Sequence, residues 1–130
     1  MDEQLIKKLY FKENYKIAVI NADFDFVKRI SGLTIDIKLE NAKTYDAAIV
    51  FCKSKTDADT LLLPVVSQLK PDGVFWVTYP KGTSKIKTDI NRDKGWDVIK
   101  AAGFDTVAAI SIDDVWSGLR MRQQDKIKRK

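Results

Sequence analysis

The chain alternates short, wholly apolar runs with segments whose apolar residues recur at helical spacing. Apolar runs lie at residues 16–21, 45–52 and 74–79, and a run that alternates with period two lies at 34–39. Continuous apolar runs of this length are typical of strands that are covered on both faces. Strands that alternate with helices predict a parallel sheet between two helical layers.

The segments between these runs predict helices over residues 3–11, 24–30, 54–69 and 89–102. The third helix is the clearest, because its apolar residues follow the i, i+3, i+4 pattern. It begins at Ser54, which forms a capping-box pattern with Asp57. Gly103 follows the last helix at the position where a chain commonly leaves a helix.

Two further strands are predicted at residues 105–111 and 115–122. The connection between them is too short for a crossover, so the last strand is expected to run antiparallel to its neighbour. The predicted fold is therefore an open, mostly parallel, Rossmann-like α/β sheet that ends in an antiparallel hairpin. We assign residues 1–122 to one domain and residues 123–130 to a basic, disordered C-terminal tail.

The net charge of +5 is confined to the end of the chain. Residues 116–130 carry six basic residues and one acidic residue, which leaves 17 of each in residues 1–115. The basic segment is compatible with contact to nucleic-acid phosphates, but we favour a tail that only keeps the protein soluble. A neutral body gives no further reason to expect a nucleic-acid partner.

The composition excludes several classes of active site. The chain has no histidine and one cysteine, Cys52, which rules out Ser-His-Asp triads, Cys-His pairs, His-ligated metal sites and Cys-only zinc sites. We therefore predict no metal. A lone cysteine, no apolar run of membrane-spanning length and no signal-peptide pattern predict a cytoplasmic protein without a membrane partner. The sequence leaves the oligomeric state open.

The order of elements from Tyr45 onward resembles a known family. It runs Tyr-Asp-Ala-Ala-Ile-Val-Phe, a helix, a Leu-Lys-Pro-Asp-Gly turn at residues 69–73, a strand, a helix and two antiparallel strands. This order is similar to the second half of class I S-adenosylmethionine-dependent methyltransferases and covers about two-thirds of the chain. The resemblance implies a methyltransferase-like fold. In that family an acidic residue near Glu40 binds the ribose, and Glu40 is either its counterpart or, as we favour, a solvated loop residue.

The first half departs from that family at the cofactor loop. Residues 21–26 replace the expected glycine-rich loop with Asn-Ala-Asp-Phe-Asp-Phe. Glycine lets a backbone bend sharply and approach a cofactor, and alanine and phenylalanine side chains would fill that space. From this we predict no cofactor, and the missing glycines argue against S-adenosylmethionine.

Three short segments also resemble short bacterial proteins of a domain-of-unknown-function family. They are Asn-Ala at residues 21–22, a Tyr-Pro-Lys…Ser…Thr-Asp loop over residues 79–89, and Trp-Ser-Gly-Leu at residues 116–119. This resemblance implies a bacterial origin, and it implies no particular activity.

Candidate site residues follow from the topology. Ligands of open parallel sheets bind outside the carboxyl ends of the strands, where polar residues of this chain are expected to converge. The candidates are Asn21, Asp23, Lys53, Ser54, Tyr79, Lys81, Ser84, Lys85, Asp114, Trp116 and Ser117. Cations, hydroxyls and aromatic rings in one place favour a small anionic ligand or a protein partner.

Several alternatives remain open at this stage. The lysines of loop 80–88 lie ahead of a predicted helix and form either an anion site or an ordinary connection. Asp113 and Asp114 are either an acid-base pair or turn residues, and Cys52 is either a thiolate or a buried apolar residue. The favoured function is a non-catalytic, methyltransferase-like binding domain. There are two alternatives. One is a divergent enzyme with a non-standard site, for example a methyltransferase, and the other is a nucleic-acid-associated protein that uses the basic tail.

Overall fold

A computed structural model describes residues 2–127 of the chain. The helices are α1 (Glu3–Lys8), α2 (Phe24–Arg29), α3 (Lys55–Ser67) and α4 (Asp97–Ala101). The strands are β1 (Lys16–Ile20), β2 (Thr34–Asp36), β3 (Tyr45–Phe51), β4 (Leu69–Pro80), β5 (Phe104–Ser111) and β6 (Trp116–Gln123).

The six strands form one sheet in the order β2-β1-β3-β4-β6-β5. The pairs β1–β2, β1–β3 and β3–β4 are parallel, and β6 runs antiparallel to both β4 and β5. The last strand therefore enters the sheet between the two strands that precede it. This mostly parallel Rossmann-like sheet with a terminal antiparallel hairpin confirms the predicted fold class.

Strand β3 separates two apolar cores. Its residues alternate between the faces, so that Ala48 and Val50 contact the core under α3 and α4. Ile49 and Phe51 contact the core under α1 and α2. Every residue of β3 except Asp46 is buried, which is the pattern that a continuous apolar run predicts for a central strand.

The side of the sheet under α1 and α2 is tied together by polar contacts. The buried Trp76 indole donates from Nε1 to the carbonyl oxygen of Leu9, at 2.9 Å. Arg29 donates from Nε and Nη2 to the carboxylate of Asp2 and from Nη1 to the carbonyl oxygen of Ile112. Arg29 therefore links the start of the chain, α2 and the β5–β6 connection.

The fourth helix is much shorter than predicted, because it begins at Asp97 and not near residue 89. A turn takes the place of its first half. The Asn91 side chain accepts from the backbone N–H of Asp93 at 2.9 Å, and the Asn91 N–H donates to the carbonyl oxygen of Lys94. Asparagine side chains that bond their own backbone compete with a helix in this way.

Strand boundaries also differ from the prediction at β4, which begins at Leu69 and not at residue 74. The predicted turn at residues 70–73 is an irregularity within this strand, with Asp72 at φ 55°. At the other end, Gln123 closes β6, and residues 124–126 of the predicted disordered tail form a single 3-10 turn. The tail residues 128–130 lie outside the described range.

No helix within residues 2–127 is both long enough and apolar enough to cross a membrane.

Replacement of Gly95 tests the turn ahead of α4. Gly95 has φ +104°, and a Cβ there would lie 2.1 Å from Cγ2 of Ile90. We expect Gly95→Ala to lower the free energy of unfolding by about 2 kcal/mol, from the positive φ and the clash together. Urea unfolding measures the loss. Gly82→Ala is the control, since a Cβ there meets no atom within 4 Å; equal losses in both variants would contradict this account.

Candidate functional site

A cleft of about 410 Å³ lies at the carboxyl ends of β1 and β3, beside the connection between β5 and β6. This volume is in the range of pockets that hold small molecules. Its lining residues are Asn21, Ala22, Asp23, Asp25, Lys53, Ile86, Asp113, Val115 and Trp116. We call it the carboxyl-end cleft, and it occupies the place where open parallel sheets bind their ligands.

Asn21 shapes the floor of the cleft. It follows β1 directly and has φ 63°, a left-handed conformation that asparagine tolerates better than other residues with a side chain. Its side-chain amide Nδ2 donates to the carbonyl oxygen of Phe51 at 2.8 Å, which joins the ends of β1 and β3. Asn21 thus supplies a backbone turn for which a glycine would be the ordinary choice.

The two phenylalanines of the same loop leave the cleft open. Phe24 is 74% exposed and Phe26 is 2% exposed. The Phe26 ring packs edge-on against Phe51, with 4.7 Å between ring centroids, so it belongs to the core. Just ahead of both rings, Asp23 caps the start of α2 by accepting from the backbone N–H of Phe26 at 2.9 Å. Of the apolar residues in this loop, Ala22 lines the cleft, and its side chain is small.

The opposite wall comes from the connection between β5 and β6. Asp113 accepts from the backbone N–H groups of Val115 and Trp116, each at 2.8 Å, so it has the turn role that the sequence allowed. Its carboxylate also lies 4.0 Å from the Arg29 guanidinium. Trp116 is 4% exposed and packs edge-on against Phe51. This wall is therefore held by backbone contacts and by the core.

The lining carries more negative than positive charge. Asp23, Asp25 and Asp113 supply three carboxylates, and Lys53 supplies one ammonium. The formal charge of the lining is therefore −2, from three negative charges and one positive. A cleft of this kind favours ligands that bring positive groups as well as one negative group.

Four of the eleven sequence-predicted site residues line the cleft: Asn21, Asp23, Lys53 and Trp116. The other seven, Ser54, Tyr79, Lys81, Ser84, Lys85, Asp114 and Ser117, are not among its lining residues.

Contacts explain where several of those seven side chains lie instead. Ser54 caps α3 by accepting from the backbone N–H of Asp57 at 3.3 Å, as its sequence pattern predicted. The Tyr79 ring packs against Trp96, with 6.2 Å between centroids. Both side chains thus serve the fold next to the cleft.

Loop 80–88 does not have the geometry that the anion-site interpretation needed. No helix follows it directly, since α4 begins only at Asp97. The Lys81 ammonium donates to the Ser111 hydroxyl at 2.6 Å, and the Ser84 hydroxyl donates to the Lys81 carbonyl oxygen. The loop contributes Ile86 to the cleft, an apolar residue that sequence reasoning did not select.

Sequence reasoning also missed Ala22, Asp25 and Val115 as lining residues. Each is adjacent to, or two positions from, a residue that was selected. The available signal was the end of β1, where residues 21–25 follow an apolar run without a break. Which of those side chains faces the cleft depends on the φ of Asn21, and no sequence pattern states that angle.

A second polar cluster lies where β2 ends. Asp36 accepts from the Lys43 ammonium at 2.6 Å and from the Tyr45 hydroxyl at 2.7 Å. These hydrogen bonds, with that from Lys43 the stronger, lower the pKa of Asp36, and the same ion pair raises the pKa of Lys43. The Glu40 side chain is 65% exposed and does not line the cleft, which fits the solvated loop residue that the sequence favoured.

Cys52 is fully buried at the end of β3. Burial raises the pKa of its thiol to about 12, so it is protonated at neutral pH. A thiol in that state is a poor nucleophile. The interpretation of Cys52 as a small buried apolar residue fits this environment.

Within residues 2–127 no group of three or more acidic or cysteine side chains is placed to hold a metal ion.

Known structures share this fold. The glycopeptide N-methyltransferase MtfA superposes with a TM-score of 0.60 at 9% identity, over 92% of this chain and 93% of that one. The B. subtilis M1A22 tRNA methyltransferase TrmK gives 0.54 at 10% identity, over 98% and 71%. Haemonchus contortus phosphoethanolamine N-methyltransferase 2, in complex with S-adenosyl-L-methionine, gives 0.56 at 15% identity, over 92% and 36%.

No family model and no curated protein matches the chain. At these identities the structural likeness establishes a methyltransferase-like fold and leaves the activity to be argued. The resemblance to a bacterial domain-of-unknown-function family stays a prediction.

The prediction of no cofactor, made against S-adenosylmethionine because of the missing glycines, is wrong. Several structures with this fold are methyltransferases, and two of them hold S-adenosylmethionine or S-adenosylhomocysteine. The physical premise also fails in this chain, because Asn21 makes the turn without glycine. Neither Phe24 nor Phe26 fills the cleft, so the missing glycines do not close it.

Substitution of Asn21 tests the floor of the cleft. We expect Asn21→Ala to lower the free energy of unfolding by about 1–2 kcal/mol. Alanine is strained in the left-handed conformation at φ 63°, and the Phe51 carbonyl oxygen loses its hydrogen-bond donor. Asn21→Gly keeps the turn and loses only the hydrogen bond, so its loss in urea unfolding is expected to be smaller. A larger loss for the glycine variant would refute the role given to this backbone conformation.

The Asp36 cluster predicts a pH dependence of stability. Because the folded-state pKa of Asp36 lies below its ordinary value, its contribution is present at neutral pH and is lost as the pH falls below about 4, through that depressed pKa. Wild-type protein and Asp36→Asn are compared by urea unfolding at pH 6.5 and pH 3. We expect the difference between them to shrink at the lower pH.

Asp59→Asn is the control for that comparison. Asp59 pairs with Lys55 on an exposed helix face, at 2.8 Å, and its removal is expected to change little at either pH. A difference for Asp36→Asn that persists unchanged at pH 3 would show that Asp36 does not contribute through its charge.

Proposed function

We propose that this chain binds S-adenosylmethionine in the carboxyl-end cleft. The observation that carries the proposal is the position of an open, acid-lined cleft at the carboxyl ends of β1 and β3 in a methyltransferase-like sheet. Ligands of such sheets bind at that edge. A structure with the same fold holds S-adenosyl-L-methionine.

The lining residues suit the charges of this ligand. S-adenosylmethionine carries a sulfonium and an ammonium, which the carboxylates of Asp23, Asp25 and Asp113 complement. It also carries one carboxylate, which Lys53 complements. When bound, the sulfonium group supplies an electrophilic methyl group.

The apolar part of the lining comes from Ala22, Ile86, Val115 and Trp116. These side chains give the adenosyl group a surface from which water is excluded. Burial of this apolar surface contributes favourably to the binding free energy, in addition to the charge interactions.

The ribose end is best served by Glu40. Of the two carboxylates that end or follow β2, Asp36 already accepts from Lys43 and Tyr45. The Glu40 side chain is 65% exposed, with its carboxylate 3.9 Å from the Lys43 ammonium. Glu40 is therefore the less engaged of these two carboxylates, and because it does not line the cleft, its side chain would have to turn toward the ribose hydroxyls.

The other functions drawn from the sequence stay predictions. A small anionic ligand is less compatible with a lining of three carboxylates and one ammonium. A protein partner at the same edge, a divergent enzyme and a nucleic-acid contact through the basic tail have no further support among the contacts of residues 2–127.

Direct titration tests the proposal. We expect S-adenosylmethionine to give a saturable signal in isothermal titration calorimetry and to raise the melting temperature. Ala22→Phe places a large ring in the cleft and is expected to weaken binding at least tenfold, about 1.4 kcal/mol. Ala101→Phe, at an exposed position of α4, is the control for a surface phenylalanine and is expected to bind like wild-type protein.

Two results would overturn the proposal. One is the absence of heat and of any thermal shift with millimolar S-adenosylmethionine. The other is binding that Ala22→Phe and Ala101→Phe leave equally unchanged, which would place the ligand elsewhere on the protein.

A further inference from the structure

Two walls of the carboxyl-end cleft come from elements that do not pair with each other. The first wall is the loop after β1 with the first turn of α2, residues 21–25. The second wall is the connection between β5 and β6, with Asp113, Val115 and Trp116. Strands β3 and β4 lie between β1 and β6 in the sheet. The distance between the two walls therefore depends on side-chain contacts between them.

Arg29 makes such a contact. It is the last residue of α2, and its Nη1 donates to the carbonyl oxygen of Ile112 at 3.0 Å, directly ahead of Asp113. The same nitrogen lies 4.0 Å from Oδ2 of Asp113. Arg29 is not a lining residue of the cleft. It can therefore act on a ligand only through the walls that it joins.

The second wall responds to Ile112 as one unit. Oδ1 of Asp113 accepts from the backbone N–H groups of Val115 and Trp116, each at 2.8 Å. The Ile112 N–H donates to the carbonyl oxygen of Trp116 at 3.0 Å. A shift of Ile112 relative to α2 would therefore carry Asp113, Val115 and Trp116 with it and change the width of the cleft.

The two walls also meet in the core, where the Phe26 and Trp116 rings both pack edge-on against Phe51. All three rings are buried. Loss of the contact from Arg29 is thus expected to loosen the walls and leave the protein folded.

Asp2 fixes the direction of the Arg29 guanidinium. Its Oδ2 accepts from Nε of Arg29 at 3.1 Å and from Nη2 at 2.8 Å. Asp2 is itself held, because its Oδ1 caps α1 by accepting from the Leu5 N–H at 3.0 Å. A guanidinium is planar and rigid, so a partner for Nε and Nη2 also sets where Nη1 points.

We infer that Arg29, held by Asp2, is the positioning residue that sets the width of the carboxyl-end cleft for S-adenosylmethionine. The inference rests on the proposed function for the identity of the ligand, and the contact between the walls can be measured without any ligand. Arg29→Lys is the decisive variant. Lysine keeps the positive charge and lacks the rigid set of donors that reaches Asp2 and Ile112 together.

Arg122→Lys is the matched control. Arg122 donates from Nε and Nη2 to Asp72, at 2.7 Å each. Its side chain is 36% exposed, against 31% for Arg29. It lies near the end of β6, whereas the cleft is lined by Trp116 at the start of that strand. Both variants therefore lose a similar arginine–aspartate pair, and one of the two pairs adjoins the cleft.

Amide hydrogen exchange in the ligand-free protein tests the contact between the walls. We expect the N–H groups of Val115 and Trp116 to exchange about threefold faster in Arg29→Lys, because the turn that holds them opens more often. Their exchange is expected to be unchanged in Arg122→Lys. Unfolding in urea is expected to show similar, small losses of stability for the two variants.

Isothermal titration calorimetry with S-adenosylmethionine tests the effect on the cleft. We expect Arg29→Lys to bind about fivefold more weakly than wild-type protein, and Arg122→Lys to bind like wild type. Asp2→Asn is expected to weaken binding by a smaller factor. The double variant of Asp2 and Arg29 is expected to bind no more weakly than Arg29→Lys alone, because Asp2 acts through Arg29. Glu3→Gln removes the same charge from the next position and is expected to bind like wild type.

Three outcomes would overturn the inference. Equal binding by wild-type protein, Arg29→Lys and Arg122→Lys shows that Arg29 does not position the cleft, and leaves the proposed function in place. Equal weakening by the two lysine variants shows an effect that does not depend on the walls. Effects of Asp2→Asn and Arg29→Lys that add in the double variant show that Asp2 does not act through Arg29. Failure of the proposed function is a different result, in which wild-type protein does not bind S-adenosylmethionine while exchange at Val115 and Trp116 still responds to Arg29→Lys.

Discussion

The burial of β3 on both faces is the constraint on which the rest of the structure depends. A strand with core on either side needs a helical layer over each face, and α1 with α2 and α3 with α4 supply these layers. Its two parallel neighbours, β1 and β4, fix the direction of the sheet. The ends of β1 and β3 then leave a gap on one edge of the sheet, and that gap is the carboxyl-end cleft.

Much of the fold could be predicted because its signals are local and repeated. Apolar runs of strand length, a capped amphipathic helix at Ser54 and a short final connection each indicate one element or one direction. The predicted start of α4, near residue 89, is wrong because two local signals conflict in the same segment. The residues ahead of Asp97 have enough apolar spacing for a helix, but the hydrogen bonds of Asn91 and the positive φ of Gly95 favour a turn.

The cleft was harder to predict because it depends on side-chain direction and not on residue type. The sequence predicts a closed loop after β1, because this loop lacks glycine and contains two phenylalanines. One asparagine in a left-handed conformation reverses that conclusion, since it turns Phe24 to solvent and Phe26 to the core. Composition indicates which groups reach an edge of the sheet, and backbone angles decide which of them face a ligand.

The insertion of β6 between β4 and β5 has a consequence for synthesis on the ribosome. Strand β5 leaves the ribosome first, yet its only strand neighbour among the described residues is β6, which follows it. Until β6 emerges, the newly made β4 has an open side and β5 has no place in the sheet. Strand β6 thus completes the sheet, and premature termination before Trp116 would leave β4 with an unpaired side and β5 without its strand neighbour, for chaperones to shield.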